Sequence, residues 1–493
     1  MDGRYAGEQN RLELMNRKIT SDGLQIAPAV LDEFSAIVGE KYAIRDALDM
    51  QPFLVEWRDR YRGQAAMVVK PASTEEVSAI MTLASRAGIP IVPQGGNTGL
   101  VGGQIPFEAG GEVVLALSRL NRIREVDPQG NCMTVEAGVT LEDAQKAAED
   151  INRLFPLALA SQGSCQIGGN LATNAGGTGV LAYGMARDLT LGLEVVLADG
   201  RVWNGLRKLR KDNTGYDLRD LFIGSEGTLG IITAAVLKLY PRARESVTAF
   251  LGLDSMAAVV DLFGHALERS GSHLTAFEFM PRVGLEFVMK HGADARDPLA
   301  APHQWYVLME ISSGRDDVAE PLLEQIFSQC LAAGIVEDGA LARSESQSAA
   351  LWRLRRLLSE VQKREGGSIK HDVSVPVSQI PLFIERANTV VETLVPGSRP
   401  LPFGHLGDGN VHYNVSQPLA MERQTFLARW EEVAAAVHAV VTEMGGSISA
   451  EHGIGRMKRQ AMAALKDPVE LDLMRTLKRS LDPNGILNPG KLL

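Results

Sequence analysis

The sequence predicts an α+β fold built as two large units, and three observations carry that expectation. Short strands alternate with helices up to about residue 240. Longer helices separated by strands fill the remainder. Glycine makes up 49 of 493 residues, against roughly 7% in average composition, and it clusters at 95–103, 163–179 and 224–230. Such clusters allow backbone to approach something bulky. At about 150 residues per domain the length corresponds to roughly three domain equivalents. Fifty basic against 60 acidic residues leave a net charge of −10, with 45% apolar and 22% charged residues. That balance describes a compact acidic globular protein and disfavours a nucleic-acid binder. Cys132, Cys165 and Cys330 stand far apart, so neither an iron–sulfur cluster, a structural zinc nor a disulfide framework is expected. With no apolar run of about 20 residues and no apolar N-terminal stretch, the expectation is a soluble, cytoplasmic protein.

In chain order, a polar, helix-like segment (1–62) precedes a strand at Ile89–Pro93, strands at Gly111–Leu117 and Met133–Ala137, and a helix at Leu141–Ile151. Leu189–Trp203 places Asp199-Gly200 between two apolar segments, a hairpin signal, and Gly227–Tyr240 reads as a strand stopped by Pro241. A boundary near Pro241–Glu245 separates a unit at 63–243 from a second α+β unit at 244–455. The second unit carries helices at Ser255–Arg269, Asp317–Ala333, Gln347–Arg364, Ser378–Val395 and Met421–Met444. Its strands fall at Leu274–Met280, Trp305–Ile311 and Ile369–Val375. The tail, 456–493, holds one more helix and then the turn-formers of Leu481–Lys491.

Three loops inside the first unit are rich in backbone N–H groups that no side chain blocks: Gln94–Gly103, Gly163–Gly177 and Gly224–Ile232. Any one of them reads as a tight turn. Together they suggest a cradle for a dinucleotide diphosphate. Neither the Rossmann fingerprint nor the P-loop spacing is present. Pro93–Gly103, Ile167–Gly177, Asn213–Asp217, Gly224–Ile232 and the terminal Asn488–Lys491 resemble the FAD-binding motifs of the vanillyl-alcohol oxidase and p-cresol methylhydroxylase superfamily. The resemblance runs from about residue 50 to the end. It implies a p-cresol methylhydroxylase-type FAD-binding domain at 63–243, a substrate- and metal-binding cap with an antiparallel sheet at 244–455, and a C-terminal helical segment packing at the active site. Flavin contacts are then implied at Pro93, Gly95, Gly96, Asn97, Thr98 and Gly99; at Gly163, Ser164, Ile167, Gly168, Gly169, Asn170, Thr173 and Asn174; and at Glu226, Gly230, Ile231 and Asn488. All nine histidines lie at 265 or later, so non-covalent FAD is expected. The basic run Arg207–Lys211 reads as a solvated loop beside it.

Leu401–Asn414 reads as a hairpin. With Asp408-Gly409 as a two-residue turn, His405 opposes His412, and Asn414 shares their face. Two imidazoles at that separation suit a divalent ion. Glu451, in a glycine-flanked loop, offers a third ligand, though spacing alone leaves a stabilising histidine pair and a solvated glutamate open. His405, His412 and Glu451 match the metal ligands of the FAD-dependent D-2-hydroxy acid dehydrogenases, the branch that includes D-2-hydroxyglutarate and D-lactate dehydrogenases. That resemblance implies zinc, or manganese or cobalt, and implies that His452 accepts the hydroxyl proton. His371 and His438 read as structural or surface residues.

Arg355 and Ser359 share a helix face at i, i+4, and Lys370 opens the following strand. By resemblance these three, with Asn414, bind the substrate. Two cations suit a diacid, although an ordinary basic helix face remains open. The expected reaction is D-2-hydroxyglutarate to 2-oxoglutarate by hydride transfer to flavin N5. D-lactate, glycolate or D-malate are rivals within the class. A zinc hydrolase and a non-catalytic flavin-binding module are rivals outside it. The resemblance implies an electron-transfer flavoprotein or a quinone as acceptor and leaves a homodimer open.

Overall fold

In the computed structural model, residues 26–493 are described; the first 25 residues of the helix-like N-terminal segment lie outside them. The helix Thr74–Ala87 connects parallel strands Met67–Val69 and Ile91–Gln94, which flank Val113–Ala116 in a four-stranded sheet edged by Ala43–Ile44. Ser73 caps that helix through Glu76 N–H, and Gly88 ends it in the left-handed region. A five-stranded antiparallel sheet follows, ordered Ile123–Asp127, Cys132–Glu136, Ile231–Lys238, Thr190–Val196, Val202–Gly205. The Asp199-Gly200 hairpin forms as expected, with Val196 opposite Val202. Gly227–Gly230 do not join the strand before Tyr240; they form the turn that walls the cleft described below.

From Glu245 onward a single antiparallel sheet of eight strands organises the chain. One face buries Phe277, Phe279, Val307, Met309, Val411, Tyr413 and Val415 against helices Met256–Ser270, Ala319–Ala332, Ile380–Leu394 and Trp430–Glu443. The other face buries Phe250, Met280, Leu308, Leu401 and Phe403 against Arg282–His291 and Glu345–Val361. Each such side chain contributes about 1.5–3 kcal/mol, so the alternation of apolar residues on both faces fixes the register. Among the described residues no helix is long and apolar enough to cross a membrane.

Three expected elements differ. Met421–Met444 is two helices, Arg423–Leu427 and Trp430–Glu443. The chain breaks where Arg429 donates to the Leu394 carbonyl at 2.6 Å and to Glu432, with no glycine or proline to announce it. Ile369–Val375 is two short strands, Ser368–Lys370 and Val373–Ser374, interrupted at His371-Asp372. In the hairpin Arg399–His405/Asn410–Ser416, His405 opposes Asn410 and Phe403 opposes His412. The connection is four residues long because Leu406 is fully buried in the core, drawing Leu406–Asp408 into a turn of 3-10 helix that Gly409 closes at φ 80°. The slip is two residues, so parity is kept and His405 and His412 still share a face.

Candidate active site

The glycine loops together line one cleft. Gly96 shows why side chains are excluded: a Cβ there would lie 1.9 Å from the Ser164 carbonyl oxygen. Of the flavin contacts implied by sequence, Pro93, Gly95, Gly96, Asn97, Thr98, Gly99, Gly168, Gly169, Asn170, Thr173, Glu226, Gly230, Ile231 and Asn488 line the cleft. Gly163, Ser164, Ile167 and Asn174 do not. Gly163 packs beside Glu142, and Ser164 backs Gly96. Ile167 is 1% exposed in the apolar core, because the short helix Ile167–Ala172 turns one side to the cleft and the other inward. Asn174 accepts the Arg187 N–H. Gln94, Gln166, Ser225, Gly227 and His452 line the cleft without having been singled out as flavin contacts; the first four lie inside the three glycine loops, and His452 sits in the separate glycine-flanked loop of Glu451.

FAD fits this cleft. Gln166 Oε1, Asn170 Nδ2 and Asn488 Oδ1 are buried on its wall without hydrogen-bond partners among the described residues, whereas buried polar atoms are ordinarily paired. Gly169 would place a Cβ in open space. Glu226 has a different task. Burial raises its carboxyl, and that carboxyl accepts the N–H groups of Ile454 and Gly455 at 2.7 Å each, so it pins the 451–455 loop to the glycine turn.

The polar end of the eight-stranded sheet faces this cleft. Glu278 opposes His405, Lys370 opposes Asn414, and residues two apart on a strand share a face, so Glu278, His405, Asn410, His412, Asn414 and Lys370 lie together. Asp372, Glu451, His412 and His452 bring ligand atoms within 4.8 Å of one another. Asp372 is the residue that sequence reading missed. It sits in the strand break, and one oxygen accepts the N–H groups of Glu451 (3.1 Å) and His452 (2.8 Å) while the other accepts from Asn410. It stands behind both imidazoles, 3.7 Å from His412 Nδ1 and 3.3 Å from His452 Nδ1. Glu451 stands in front of both, 3.6 and 3.7 Å from their Nε2 atoms, and Gly177 N–H holds its other oxygen at 2.9 Å. His405 repeats the pattern: its Nδ1 donates to Glu278 at 2.6 Å, and its ring lies 5.5 Å from that of His412.

Each of the three imidazoles therefore has a carboxylate beside Nδ1, and a divalent ion is ordinarily held by histidines oriented in this way, although His405 stands outside the four residues whose ligand atoms converge. The donor set fits zinc, manganese or cobalt. Burial lowers His412 well below its ordinary value and lowers His452 as well. For His405 burial is outweighed by Glu278, which lifts the imidazole to about 9.

Arg355 is buried and donates Nε to Glu278 at 2.7 Å, so Glu278 is shared between Arg355 and His405. Ser359 is exposed, and its carbonyl, rather than its hydroxyl, accepts from Lys370 Nζ at 3.3 Å. Asn414 donates to Gln362 at 3.0 Å. Burial, with Arg58 and Lys363 nearby, brings the Lys370 ammonium down to about 7. His371 donates Nδ1 to the Tyr413 carbonyl, and its ring packs perpendicular to His438; both are interior histidines away from the cluster.

Residues 65–205 match the family described as FAD binding domain, and residues 242–492 match FAD linked oxidases, C-terminal domain. The chain is 39% identical to D-2-hydroxyglutarate dehydrogenase of Xanthomonas citri pv. viticola over 444 residues, 90% of this chain and 92% of that protein. It is 39% identical to D-2-hydroxyglutarate dehydrogenase, mitochondrial, of Rattus norvegicus over 452 residues, 91% of this chain and 82% of that protein. The structure of p-cresol methylhydroxylase with substrate bound superposes with a TM-score of 0.73 at 18% identity, covering 94% of this chain and 96% of that one, a likeness of fold. With a glycine-walled cleft that suits a flavin and relatives alike over nearly the whole length, the chain belongs to the FAD-dependent D-2-hydroxy acid dehydrogenases, on the p-cresol methylhydroxylase fold.

Proposed function

We propose that the protein oxidises D-2-hydroxyglutarate to 2-oxoglutarate with non-covalent FAD and a divalent ion held by His405, His412 and Glu451. One observation carries this reading: His452 belongs at once to the wall of the glycine cleft and to the histidine–carboxylate cluster. An alcohol held at the cluster therefore lies beside the cleft. When bound, the flavin supplies the hydride acceptor and the ion supplies the Lewis acid that lowers the hydroxyl pKa. His452, kept below its ordinary pKa by burial, takes the hydroxyl proton, and Asp372 behind its Nδ1 steadies the resulting charge. Asn414, Lys370 and Arg355 orient the carboxylates from the same side of the sheet, with Ser359 beside Lys370. The name carried by the Xanthomonas and rat proteins supports the diacid.

D-lactate, glycolate and D-malate are the rivals within the class. A zinc hydrolase accounts for neither the flavin-family matches nor the polar atoms left unpaired in the cleft, and a non-catalytic flavin-binding module leaves the histidine–carboxylate cluster without a role. Reoxidation by an electron-transfer flavoprotein or a quinone in the cytoplasm completes the proposal. The test is anaerobic reduction of the bound flavin screened across D- and L-2-hydroxy acids, with and without chelator. Bleaching by D-2-hydroxyglutarate that chelator prevents is expected. A flavin that no D-2-hydroxy acid bleaches in metal-replete protein sinks the reading.

A further inference from the structure

The loop 448–458 carries Glu451 and His452, and its own sequence does little to stiffen it. Gly453 and Gly455 sit at φ 82° and 53°, and glycine has more conformational freedom to lose on ordering than any other residue. The chain enters the loop from a bridge between Ser447 and Ser374, whose peptides exchange hydrogen bonds at 2.8 and 3.0 Å. Inside it, the Ala450 N–H reaches the Asp372 carbonyl at 3.3 Å. The loop ends at Lys458, where the helix Arg459–Leu465 begins.

From that end Lys458 turns back. Its ammonium donates to the Ile448 carbonyl at 2.8 Å and to the Asp372 carbonyl at 3.3 Å, so one side chain closes the loop on itself and fastens it to the strand break. The carboxylate of the same Asp372 accepts the N–H groups of Glu451 and His452. Lys458 thus grips the backbone of the residue that holds both the candidate ligand and the candidate base. An ammonium is an expensive group to put there. Lys458 is 8% exposed, and among the described residues its hydrogen bonds go to these carbonyls and not to a carboxylate. Burial lowers it even though the charges of Asp372 and Glu226 favour it. A buried cation without a bonded counter-charge weakens a fold, and an apolar side chain of similar volume would serve stability as well. What the ammonium adds is the geometry it imposes on the loop.

We infer that Lys458 is a positioning residue: its ammonium clasps the 448–458 loop onto the strand break at Asp372 and so sets Glu451 and His452 where a metal ion and the substrate hydroxyl meet them. This rests on the proposed function and adds to it a residue that acts through the peptide groups of 372 and 448.

The test uses full-length holoenzyme carrying Lys458→Met. Lys458→Gln, which keeps a donor for a carbonyl and gives smaller losses of the same kind, carries the test if the first variant does not fold. Zinc affinity is measured by titrating the chelator-stripped protein, and kcat, KM and the thermal midpoint are read beside the visible flavin spectrum. In Lys458→Met the zinc Kd rises about 10- to 100-fold, as for residues that orient metal ligands from behind. A fall in kcat of about 10- to 100-fold accompanies it, since a displacement of about 1 Å is enough. Saturating zinc does not restore kcat, because His452 stays displaced. KM for D-2-hydroxyglutarate and the flavin content hold. The thermal midpoint moves by no more than about 3 °C, because relief from a buried charge offsets the lost hydrogen bonds. A larger fall in the midpoint makes Lys458 a brace of the fold and overturns the inference. An unchanged zinc Kd, an unchanged kcat or full recovery of kcat at saturating zinc overturns it as well. If the unaltered protein binds zinc and no D-2-hydroxy acid bleaches it, the functional reading falls, and the zinc titration still decides on Lys458.

Discussion

Glu278 is the side chain on which the most converges. It is 1% exposed, and its two oxygens hold Arg355 and His405. Glu278→Gln frees the His405 ring to turn and leaves Arg355 buried without a counter-charge. Removing a carboxylate that orients a metal-bound histidine ordinarily costs about 10- to 100-fold in metal affinity. Zinc titration of the chelator-stripped holoenzyme checks this, and an unchanged affinity would separate His405 from the metal. For the same reason Arg355→Leu disturbs the partner of His405 and so lowers turnover of diacid and monoacid substrates alike. His452→Asn removes the proposed base and keeps a polar group of similar reach. Turnover falls about 10²- to 10⁴-fold with flavin content unchanged, read from kcat beside the visible spectrum.

The pairing of elements decides acid stability. Glu365, ending the helical stretch after Glu345–Val361, accepts from Lys290 at 2.7 Å, His291 at 2.6 Å and Arg399 at 2.6 Å, tying the helix Arg282–His291 to the strand Arg399–His405. Burial alone would raise its carboxyl, but the Lys290 and Arg399 cations and the hydrogen bond from His291 hold it down at about 2. A carboxyl depressed in the folded state stabilises fully above the ordinary range near 4.5 and loses that contribution as pH falls toward 2. Glu365→Gln therefore lowers stability at neutral pH by on the order of 2 kcal/mol and flattens the decline between those pH values. Chemical denaturation at pH 7 and pH 3 measures both effects. These pairings also mark what sequence conveyed at this level. Alternation placed the strands, and the helix expected from Ser255 starts there with Ser255 as its cap, whereas the helix expected from Gln347 starts at Glu345 behind the cap Ser344. The break at Arg429 and the interrupted strand at Asp372 depend on partners 35 and about 80 residues away, which no local window contains.

The assembled chain keeps the flavin cleft apart from the candidate metal cluster. The glycine cleft belongs mainly to loops before residue 232, and the histidine–carboxylate cluster to residues after 370, with His452 between them. Chelator should abolish bleaching by substrate while the flavin stays bound, because the cleft keeps its own walls; gel filtration with absorbance detection checks that. Acid precipitation should release the flavin into the supernatant. Cys132 and Cys165 are buried away from the cleft wall, while His452 lines it. Yellow colour retained in the pellet would point to a covalent bond at that histidine.

Sequence by itself determined the α+β class, the glycine loops and the residue types of the site, since backbone access for a dinucleotide demands glycine and a divalent ion demands imidazole and carboxylate wherever they fall. His405 and His412 were readable as one face because strand parity survives a slip of two residues. Tertiary structure decided which carboxylate stands behind each imidazole and that Glu278 occupies Arg355. Those pairings join segments far apart in the chain, and charge and burial, which select them, exist only once the sheet has folded against the glycine loops.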